Sequence, residues 1–208
     1  MKLAIIGAGA GIGLQTVLQA LEKGNQVTAL SRNTSTLPDH ISLTKINGSA
    51  DNTEDLQVAI NGTDAVIITV GTKIKKGTTL FSATAKALII ATAHLQYKGP
   101  VLIVSGFGTG ESRHYLSFFM RSIIQLFLKD QYTDKTLMEK LIANSVIKWE
   151  IIKPGILSNG KLTKNYRVLN QLKKGMKVSK ISRADVAHFL LHEAENQHMM
   201  YQCVTLTY

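Results

Sequence analysis

Four glycines near the start of the chain constrain its fold more than any other feature. Gly7, Gly9, Gly11 and Gly13 alternate directly after a short apolar run that is typical of a β-strand. The residues that follow are apolar at helical spacing up to Gly24, which is typical of a helix C-cap. Glycines in such a turn let the backbone bend sharply and let a bound group approach it closely. The pattern predicts a strand, a tight turn and a helix.

The turn also predicts a phosphate site. The first turn of a helix presents unpaired N–H groups and the positive end of the helix dipole, and both favour a bound phosphate. The spacing is not G-x-G-x-x-G from Gly7, because Ile12 stands at the third glycine's place. Gly7, Gly11 and Gly13 instead fit the G-x-x-x-G-x-G spacing of short-chain dehydrogenases. We interpret the turn as a dinucleotide site, the alternative being a tight turn that binds no ligand.

Composition narrows the class of protein. A length of 208 residues with 45% hydrophobic residues suits one domain with a good core, so we expect a single NAD(P)-binding domain over 1–208. No apolar run approaches the length of a membrane span, which argues against a membrane partner. The single cysteine, Cys203, excludes an internal disulfide and fits a reducing compartment, so we expect a cytoplasmic protein.

The net charge of +10 calls for an anionic ligand or a broadly basic surface. Lysines and arginines are spread along the chain, with local groups at 73–76 and 173–183. Zinc-finger spacing, an aromatic RNA-binding signature and a helix-turn-helix pattern are all missing, so nucleic acid is an unfavoured partner. We expect a small-molecule substrate and a monomer or homodimer.

Apolar runs alternate with helical patterns along the whole chain. After the first strand, strands are predicted over 26–31, 41–46, 64–70, 101–105, 149–152 and 204–206, and helices over 53–60, 80–95, 133–143 and after the capping-box pattern at 182–185. This alternation predicts an α/β, doubly wound, Rossmann-like fold with helices on both faces of a mostly parallel sheet. The expected strand order is 3-2-1-4-5-6 plus a short seventh strand. The polar stretch 158–180 is a candidate substrate-side flap.

Ligands of open α/β sheets bind at the carboxyl ends of the strands, near the point where the strand order reverses. Several strand ends here carry glycine, serine or threonine, and we expect them to surround one crevice. They are the Gly7–Gly13 turn, Ser31-Arg32, Gly71-Thr72, Ser105-Gly106 and Pro154-Gly155. At the end of the second strand, the acid that would bind a ribose 2′-hydroxyl is missing. Arg32 and Ser31 could instead bind a 2′-phosphate, which predicts a preference for NADPH over NADH; the alternative is a solvated surface arginine.

These motifs together resemble the atypical short-chain dehydrogenase/reductases with an NAD(P)H-binding domain, close to the biliverdin-IXβ/flavin reductases. The resemblance spans nearly the full length and rests on 5–13, 27–32, 64–72, 101–105, 149–155 and 181–186, with Asp134-Lys135 to Met138-Glu139. It implies a pyrophosphate held by Gly7, Gly9, Ala10, Gly11, Ile12 and Gly13, and further cofactor contacts from Ser31, Arg32, Ser49, Val70, Gly71, Thr72, Ser105 and Pro154. Ser49 replaces the family's adenine-binding acid, and Thr36 replaces its second phosphate-binding arginine.

Catalytic residues are harder to assign. The standard enzymes of this superfamily place tyrosine and lysine four residues apart, so that the ammonium lowers the pKa of the phenol that protonates the substrate. Tyr132 and Lys135 come nearest but are only three residues apart, and we interpret Tyr132 as a surface aromatic. By the resemblance, Ser105 would orient a substrate carbonyl or the nicotinamide amide, with Lys135 as a second positive group. The alternative for Ser105 is a strand-end serine that satisfies local backbone groups.

Two other patterns are interpreted as structural. His188 and His192 lie one helical turn apart, but no third ligand has suitable spacing, so we expect no metal site. An apolar stripe that could line a pocket or a dimer face is expected instead to pack in the core. It comprises Tyr115, Phe118, Phe119, Ile123 and Phe127.

The favoured function is an NADPH-dependent reductase that transfers hydride to a small planar or carbonyl acceptor of the flavin or quinone type. Such an acceptor needs little proton chemistry from the protein, so the missing Tyr-x-x-x-Lys is tolerable. A non-catalytic NAD(P)-binding sensor or regulator of the same superfamily is the alternative. A sugar-nucleotide epimerase-like enzyme is a further one, which the short C-terminal part of the chain disfavours.

Overall fold

In a computed structural model, which describes residues 1–208, strands and helices alternate as expected. The strands are β1 (Lys2–Ile6), β2 (Gln26–Ser31), β3 (Leu43–Asn47), β4 (Ala65–Ile68), β5 (Val101–Val104), β6 (Trp149–Pro154), β7 (Ile156–Ser158), β8 (Arg167–Leu169), β9 (Lys180–Ser182) and β10 (Cys203–Thr207). The helices are α1 (Gly11–Glu22), α2 (Thr53–Ile60), α3 (Leu80–His94), α4 (Phe118–Ile123), α5 (Lys129–Ala143) and α6 (Arg183–Asn196).

The main sheet has eight strands in the order β3-β2-β1-β4-β5-β6-β10-β8. The first six are parallel and confirm the predicted order 3-2-1-4-5-6, and β10 is the expected last strand, parallel to β6. β8 adds an antiparallel edge next to β10 that the sequence did not predict. The chain therefore has a Rossmann-like fold, with its order reversing between β1 and β4.

Helices cover both faces of this sheet. Along β1, Leu3 and Ile5 join the core layer beneath α1 and α6, whereas Ala4 and Ile6 join the layer beneath α2 and α3. This alternation follows from the two-residue period of a strand. Because both faces are covered, β1, β4 and β5 are almost entirely apolar, which explains why their runs were visible in the sequence.

A second, two-stranded parallel sheet joins β7 to β9, with Ile156 opposite Lys180 and Ser158 opposite Ser182. It brackets the polar stretch 158–180, which starts at the end of β7 and returns at the start of β9. Within that stretch, β8 reaches the far edge of the main sheet. The pairing places the N-terminus of α6 beside the end of β7, which matters for the site below.

The apolar stripe near residue 120 does not pack in the core, and that expectation is wrong. A 3₁₀ helix at Gly110–Tyr115, α4 and a π-helical segment at Ile124–Leu128 form this part of the chain. Phe118 and Phe119 are 87% and 71% exposed, and Ile124 is the one buried residue between 117 and 128. The cause is that α4 packs mainly against the π-helical segment and lies outside the two helical layers.

No helix is both long enough and apolar enough to span a bilayer.

Candidate functional site

The carboxyl ends of β1, β2, β4 and β5 open into one crevice of about 910 Å³. Most of the residues assigned from the sequence meet there: Gly7, Gly9, Ala10, Gly11, Ile12, Ser31, Arg32, Ser49, Val70, Gly71, Thr72, Ser105 and Lys135 all line it. Gly13 and Pro154 do not line it. The crevice lies where the strand order reverses, which is the usual ligand position in open α/β sheets.

Gly13 serves packing and does not face the crevice. A Cβ at Gly13 would lie 2.2 Å from the carbonyl oxygen of Gly7, so only glycine lets α1 approach β1 this closely. A Cβ at Gly9 would likewise lie 2.3 Å from the carbonyl oxygen of Asn33, in the loop after β2. Gly11 differs, because a Cβ there would meet only the side chain of Arg183, 3.6 Å away. Gly11 is therefore the glycine whose small size keeps the crevice open.

The N-terminus of α1 fits an anion. The helix begins at Gly11 after an extended Ala10, whose side chain offers no cap, and its first turn contains no acidic residue. Its first backbone N–H groups therefore have no side-chain partner from this chain and lie at the crevice wall. Unpaired N–H groups and the positive dipole end favour a pyrophosphate at this position.

The end of β2 supplies one of the two arginines that line the crevice, the other being Arg183 of α6. Arg32 is exposed and takes part in none of the five ion pairs of the chain, so its guanidinium is available for a ligand. Thr36 stands where the flavin reductases that the sequence resembles have a second phosphate-binding arginine, and here it has a structural role. Its hydroxyl donates to the carbonyl oxygen of Gly9 at 2.6 Å and so holds the loop after β2 against the glycine turn.

The crevice rim beyond β3 contains an acidic residue, Asp51, to which the sequence analysis assigned no role. The Ser49 hydroxyl donates to the carboxylate of Asp51, and the Ser49 N–H donates to Asp55 Oδ2 at 2.7 Å. Asp51 therefore lies directly beside Ser49, two residues beyond the place where the resembling family has an acid. This pair fits recognition of a ligand's amino group.

The loop after β4 is tied to α5. The Gln131 amide donates to the carbonyl oxygens of Thr72 and Ile74, at 3.3 and 2.7 Å, and Asp130 accepts from the N–H of Gly77 at 2.8 Å. Gly71 and Thr72 are thereby held at the crevice wall.

A buried charged network lies behind the end of β5. The carboxylate of Glu139 accepts hydrogen bonds from Ser105 Oγ at 2.5 Å, from the Thr109 hydroxyl and, at 2.9 Å, from Lys153 Nζ. Both members of the Lys153–Glu139 ion pair are almost fully buried. The Ser105 hydroxyl, assigned above to a substrate or nicotinamide group, is therefore engaged by Glu139. Ser105 still lines the crevice, and its carbonyl oxygen faces Lys135.

Lys135 and Tyr132 approach the same strand end from α5. Lys135 Nζ donates to the Ser105 carbonyl oxygen at 2.9 Å and lies 4.9 Å from the centre of the Phe81 ring. Burial lowers the pKa of Lys135 to about 8, although the nearby Glu139 carboxylate opposes that shift. Tyr132 is half-buried, and burial raises the pKa of its phenol, so it is not the surface aromatic that the sequence suggested. Its hydroxyl and Lys135 Nζ would each lie 3.7 Å from a Cβ at Gly106.

Some residues at this site were missed by sequence reasoning. Arg183 enters the crevice from the start of α6 and donates to Asn159 Oδ1 at 2.7 Å. Its signal was the cap at Ser182, which accepts from the Asp185 N–H and fixes where α6 begins. Glu139 belongs to a motif of the family resemblance but was given no role, and Lys153 had no local signal. Pro154, which was assigned to the cofactor, is buried in β6, and its carbonyl oxygen accepts from the Phe107 N–H at 3.0 Å.

Residues 7–197 match the model of a protein family described as NAD(P)H-binding. The match covers most of the chain and includes the glycine turn, the crevice and α6.

Solved structures share the fold over the whole chain. A short-chain dehydrogenase/reductase from Veillonella parvula in complex with NADP aligns with a TM-score of 0.84 at 16% identity, covering 100% of this chain and 94% of that one. ChuY, an anaerobilin reductase from Escherichia coli O157:H7, aligns with a TM-score of 0.79 at 21% identity, covering 100% and 97%. A candidate NADH-flavin reductase from Streptococcus pneumoniae aligns with a TM-score of 0.76 at 23% identity, covering 100% and 99%.

Proposed function

The chain belongs to the NAD(P)H-binding family, and from this premise we propose that it is an NADPH-dependent reductase. The reduced nicotinamide would supply a hydride to a small planar or carbonyl acceptor, of the flavin or quinone type. The solved structures that share this fold include one named as an anaerobilin reductase and one named as a candidate NADH-flavin reductase. These named activities support a planar acceptor for this chain.

The observation that carries the proposal is the pairing of an uncapped α1 N-terminus with Arg32 on one crevice wall. Gly11 leaves room for a pyrophosphate at the helix N-terminus, and Arg32 lies at the end of the neighbouring strand, where a ribose 2′-phosphate would bind. Arginine suits a phosphate because its planar guanidinium can donate two parallel hydrogen bonds. This arrangement supports NADPH over NADH.

On the acceptor side, we assign Lys135 and Ser105. Lys135 presents a positive charge beside Gly106 and is held by the Ser105 carbonyl oxygen. With a pKa of about 8, it can both stabilise negative charge on a reduced acceptor and donate a proton near neutral pH. Ser105 would orient the nicotinamide amide from the same strand end, because its Oγ donates to Glu139 and can still accept a hydrogen bond from the amide N–H.

The small β7–β9 sheet places the start of the polar stretch 158–180 beside the crevice. Leu157 of β7 lines the crevice, and Asn159 holds Arg183 at its edge. Leu157 directly precedes the stretch 158–180, and Asn159 lies at its start. We therefore keep the assignment of this stretch as a substrate-side flap on a one-domain protein.

A non-catalytic sensor is the second candidate. It is favoured by one observation, that the Ser105 hydroxyl already donates to Glu139 and so has no proton left to donate to a substrate. A sensor would need the cofactor site but no acceptor site.

Parallel binding and turnover measurements distinguish the two functions. NADPH binding is followed by nicotinamide fluorescence, and NADPH oxidation is measured with FMN, a soluble benzoquinone and an aldehyde. A reductase binds NADPH and oxidises it with at least one acceptor, at a rate that saturates with acceptor concentration. Binding without acceptor-dependent oxidation supports the sensor. Failure to bind NADPH or NADH refutes both.

A further inference from the structure

Three side chains with metal-binding atoms meet at the C-terminal end of α6, on a part of the molecule that the proposed function does not use. Glu193 Oε1 lies 3.4 Å from His192 Nδ1 and 3.3 Å from His198 Nδ1. One ligand atom from each of the three residues lies within 4.8 Å of the other two. The two imidazole rings stack, with centroids 5.8 Å apart and an angle of 29° between their planes.

The turn after α6 builds this arrangement. Gln197 adopts a left-handed conformation with φ of 57°, and its N–H donates to the Glu193 carbonyl oxygen at 2.9 Å. The chain thereby folds back over the helix, and the N–H groups of His198 and Met199 donate to Glu193 Oε2 at 2.9 and 3.1 Å. Backbone donors therefore fix one carboxylate oxygen and turn the other toward both histidines. Such outer hydrogen bonds are what orient the ligands of protein metal sites.

The buried carboxylate of Glu193 has no lysine or arginine as an ion-pair partner. Glu193 is 2% exposed, and its ion pairs are with the two histidines alone. Glu150 of β6 is fully buried without a hydrogen-bond partner on either carboxylate oxygen, and burial together with the charge of Glu193 raises its pKa to about 8, so the ionised carboxylate here is that of Glu193. The nearby Lys148 ammonium is engaged by the Gln197 side chain. A buried carboxylate without a cation is costly, and a bound divalent ion would remove that cost.

We propose that His192, Glu193 and His198 form a binding site for a divalent transition metal, with Zn²⁺ as the ion that fits best. Zinc takes histidine nitrogen and carboxylate oxygen at about 2.0–2.1 Å in tetrahedral geometry, in which neighbouring ligand atoms are about 3.3 Å apart. The distances from Glu193 Oε1 to the two histidine nitrogens match this separation. Water would complete the coordination, because both histidines are open to solvent. The ion would tie the end of α6 to the turn that leads into β10.

His188 is not part of the site, although it stands one helical turn before His192. Its Nδ1 lies 2.8 Å from the Tyr166 hydroxyl, and its ring packs edge-on against that tyrosine. The second and third ligands are instead the next residue, Glu193, and His198 on the far side of the turn. His188 therefore provides a matched control on the same helix.

Titration of the untagged, metal-stripped protein with Zn²⁺, followed by calorimetry, tests the site. The measurements use a Cys203→Ser background, because an exposed thiol could bind metal on its own. We expect one equivalent of Zn²⁺ to bind. His192→Ala and His198→Ala should each weaken binding by about 100-fold or more, because each removes a ligand and even the loss of an outer hydrogen-bond partner costs about 10–100-fold. His188→Ala should leave the affinity unchanged.

Thermal unfolding gives a second readout, because a ligand that binds only the folded state raises the unfolding midpoint. Saturating Zn²⁺ should raise the midpoint of the parent and of His188→Ala, and should leave that of His198→Ala unmoved. Since His192 and His198 are exposed, their variants should fold, which circular dichroism can confirm. The proposal is overturned if binding does not saturate at one equivalent, or if His188→Ala loses as much affinity as His198→Ala.

Discussion

Single residues at the end of β5 are held by one buried carboxylate. Glu139 receives two hydroxyl donors and one ammonium, so its charge is compensated inside the protein. Compensation of this kind is what makes a buried charge tolerable, since removing one partner leaves the other unpaired at a cost of about 3–5 kcal/mol. The network fixes Ser105, whose carbonyl oxygen in turn holds Lys135 at the crevice.

The first residue-scale prediction concerns Arg32. Arg32→Ala should weaken NADPH binding much more than NADH binding, because only NADPH carries the 2′-phosphate. A charge-assisted hydrogen bond contributes about 1.5–3 kcal/mol, or roughly 10–150-fold in affinity, and we expect the low end at this exposed position. Dissociation constants for both cofactors are measured for the parent, for Arg32→Ala and for Arg121→Ala, an exposed arginine outside the crevice. A parent that binds NADH equally well refutes the role of Arg32.

The second prediction concerns Ser105. Ser105→Ala should keep NADPH binding and lose turnover by roughly one to three orders of magnitude, as expected for a lost orienting hydrogen bond. Thr109→Val is the matched control, because it removes another hydroxyl from the same Glu139 carboxylate at a fully buried position. If both variants lose the same turnover, Ser105 acts only through the buried network.

The third prediction concerns the pH dependence that Lys135 would impose. Its ammonium loses a proton as the pH rises through about 8, so turnover should decline through that pH. Lys135→Met should be slower at low pH and should lack this transition. The pKa in the folded protein lies below the ordinary 10.5, so the unfolded chain binds more protons between pH 8 and 10.5. The Lys135 contribution to stability therefore increases with pH across that window. An unaltered rate profile in Lys135→Met contradicts the assignment.

At the scale of elements, the ends of two helices control the crevice. α1 starts without a side-chain cap and leaves its N–H groups at the wall. α6 starts at Ser182, whose hydroxyl caps the helix, and Asp185 of its first turn binds the Thr163 and Lys164 N–H groups and the Tyr208 hydroxyl. Burial raises the pKa of Asp185, but those hydrogen bonds outweigh burial and lower it overall. One helix start is thus left open for a ligand, and the other is locked into the fold.

The element-scale prediction uses two glycines of positive φ at opposite ends of α1. Gly11→Ala and Gly24→Ala should each lose roughly 1–2 kcal/mol of unfolding free energy, because an L-residue is strained in that conformation. Only Gly11→Ala should weaken NADPH binding, by about tenfold or more, because its methyl group would enter the space of the pyrophosphate. Gly24 has open space around it and serves as the control for strain. Equal NADPH affinities in the two variants would contradict a pyrophosphate site at the N-terminus of α1.

At the scale of the whole molecule, the net charge of +10 favours any polyanionic ligand. Long-range attraction of this kind is screened by salt, over about 10 Å at 0.1 M ionic strength and about 3 Å at 1 M. Contacts at short range, such as a guanidinium on a phosphate, are screened less.

The whole-molecule prediction follows from that difference. Raising the salt concentration from 0.05 to ~0.5 M should weaken NADPH more than NADH, because NADPH carries more negative charge. Arg32→Ala should retain a salt dependence for NADPH from the overall field, although its preference for NADPH is largely lost. Binding curves for both cofactors at several salt concentrations measure this. A preference for NADPH that does not change with salt would show that the net charge contributes nothing.

The sequence by itself determined the strand order and the position of the crevice. The strands β1, β4 and β5 are buried on both faces and are therefore recognisable as apolar runs. Gly7, Gly9 and Gly13 must be glycine because a Cβ at each would lie within 3 Å of backbone atoms. These features depend on neighbours in the chain or on burial alone. Patterns of this kind are readable without coordinates.

Only the tertiary structure decided which distant residues meet. Arg183 reaches Gly11 because β7 and β9 pair, and Lys153 reaches Glu139 because β6 lies beneath α5; neither pair has a local signature. His198 joins His192 through a single left-handed residue, Gln197, which the sequence does not mark. The exposed stripe at 118–127 was misjudged for the same reason, since apolar spacing shows that a face exists but not whether another element covers it. These contacts and exposures are set by long-range packing, which depends on the whole chain and not on local sequence.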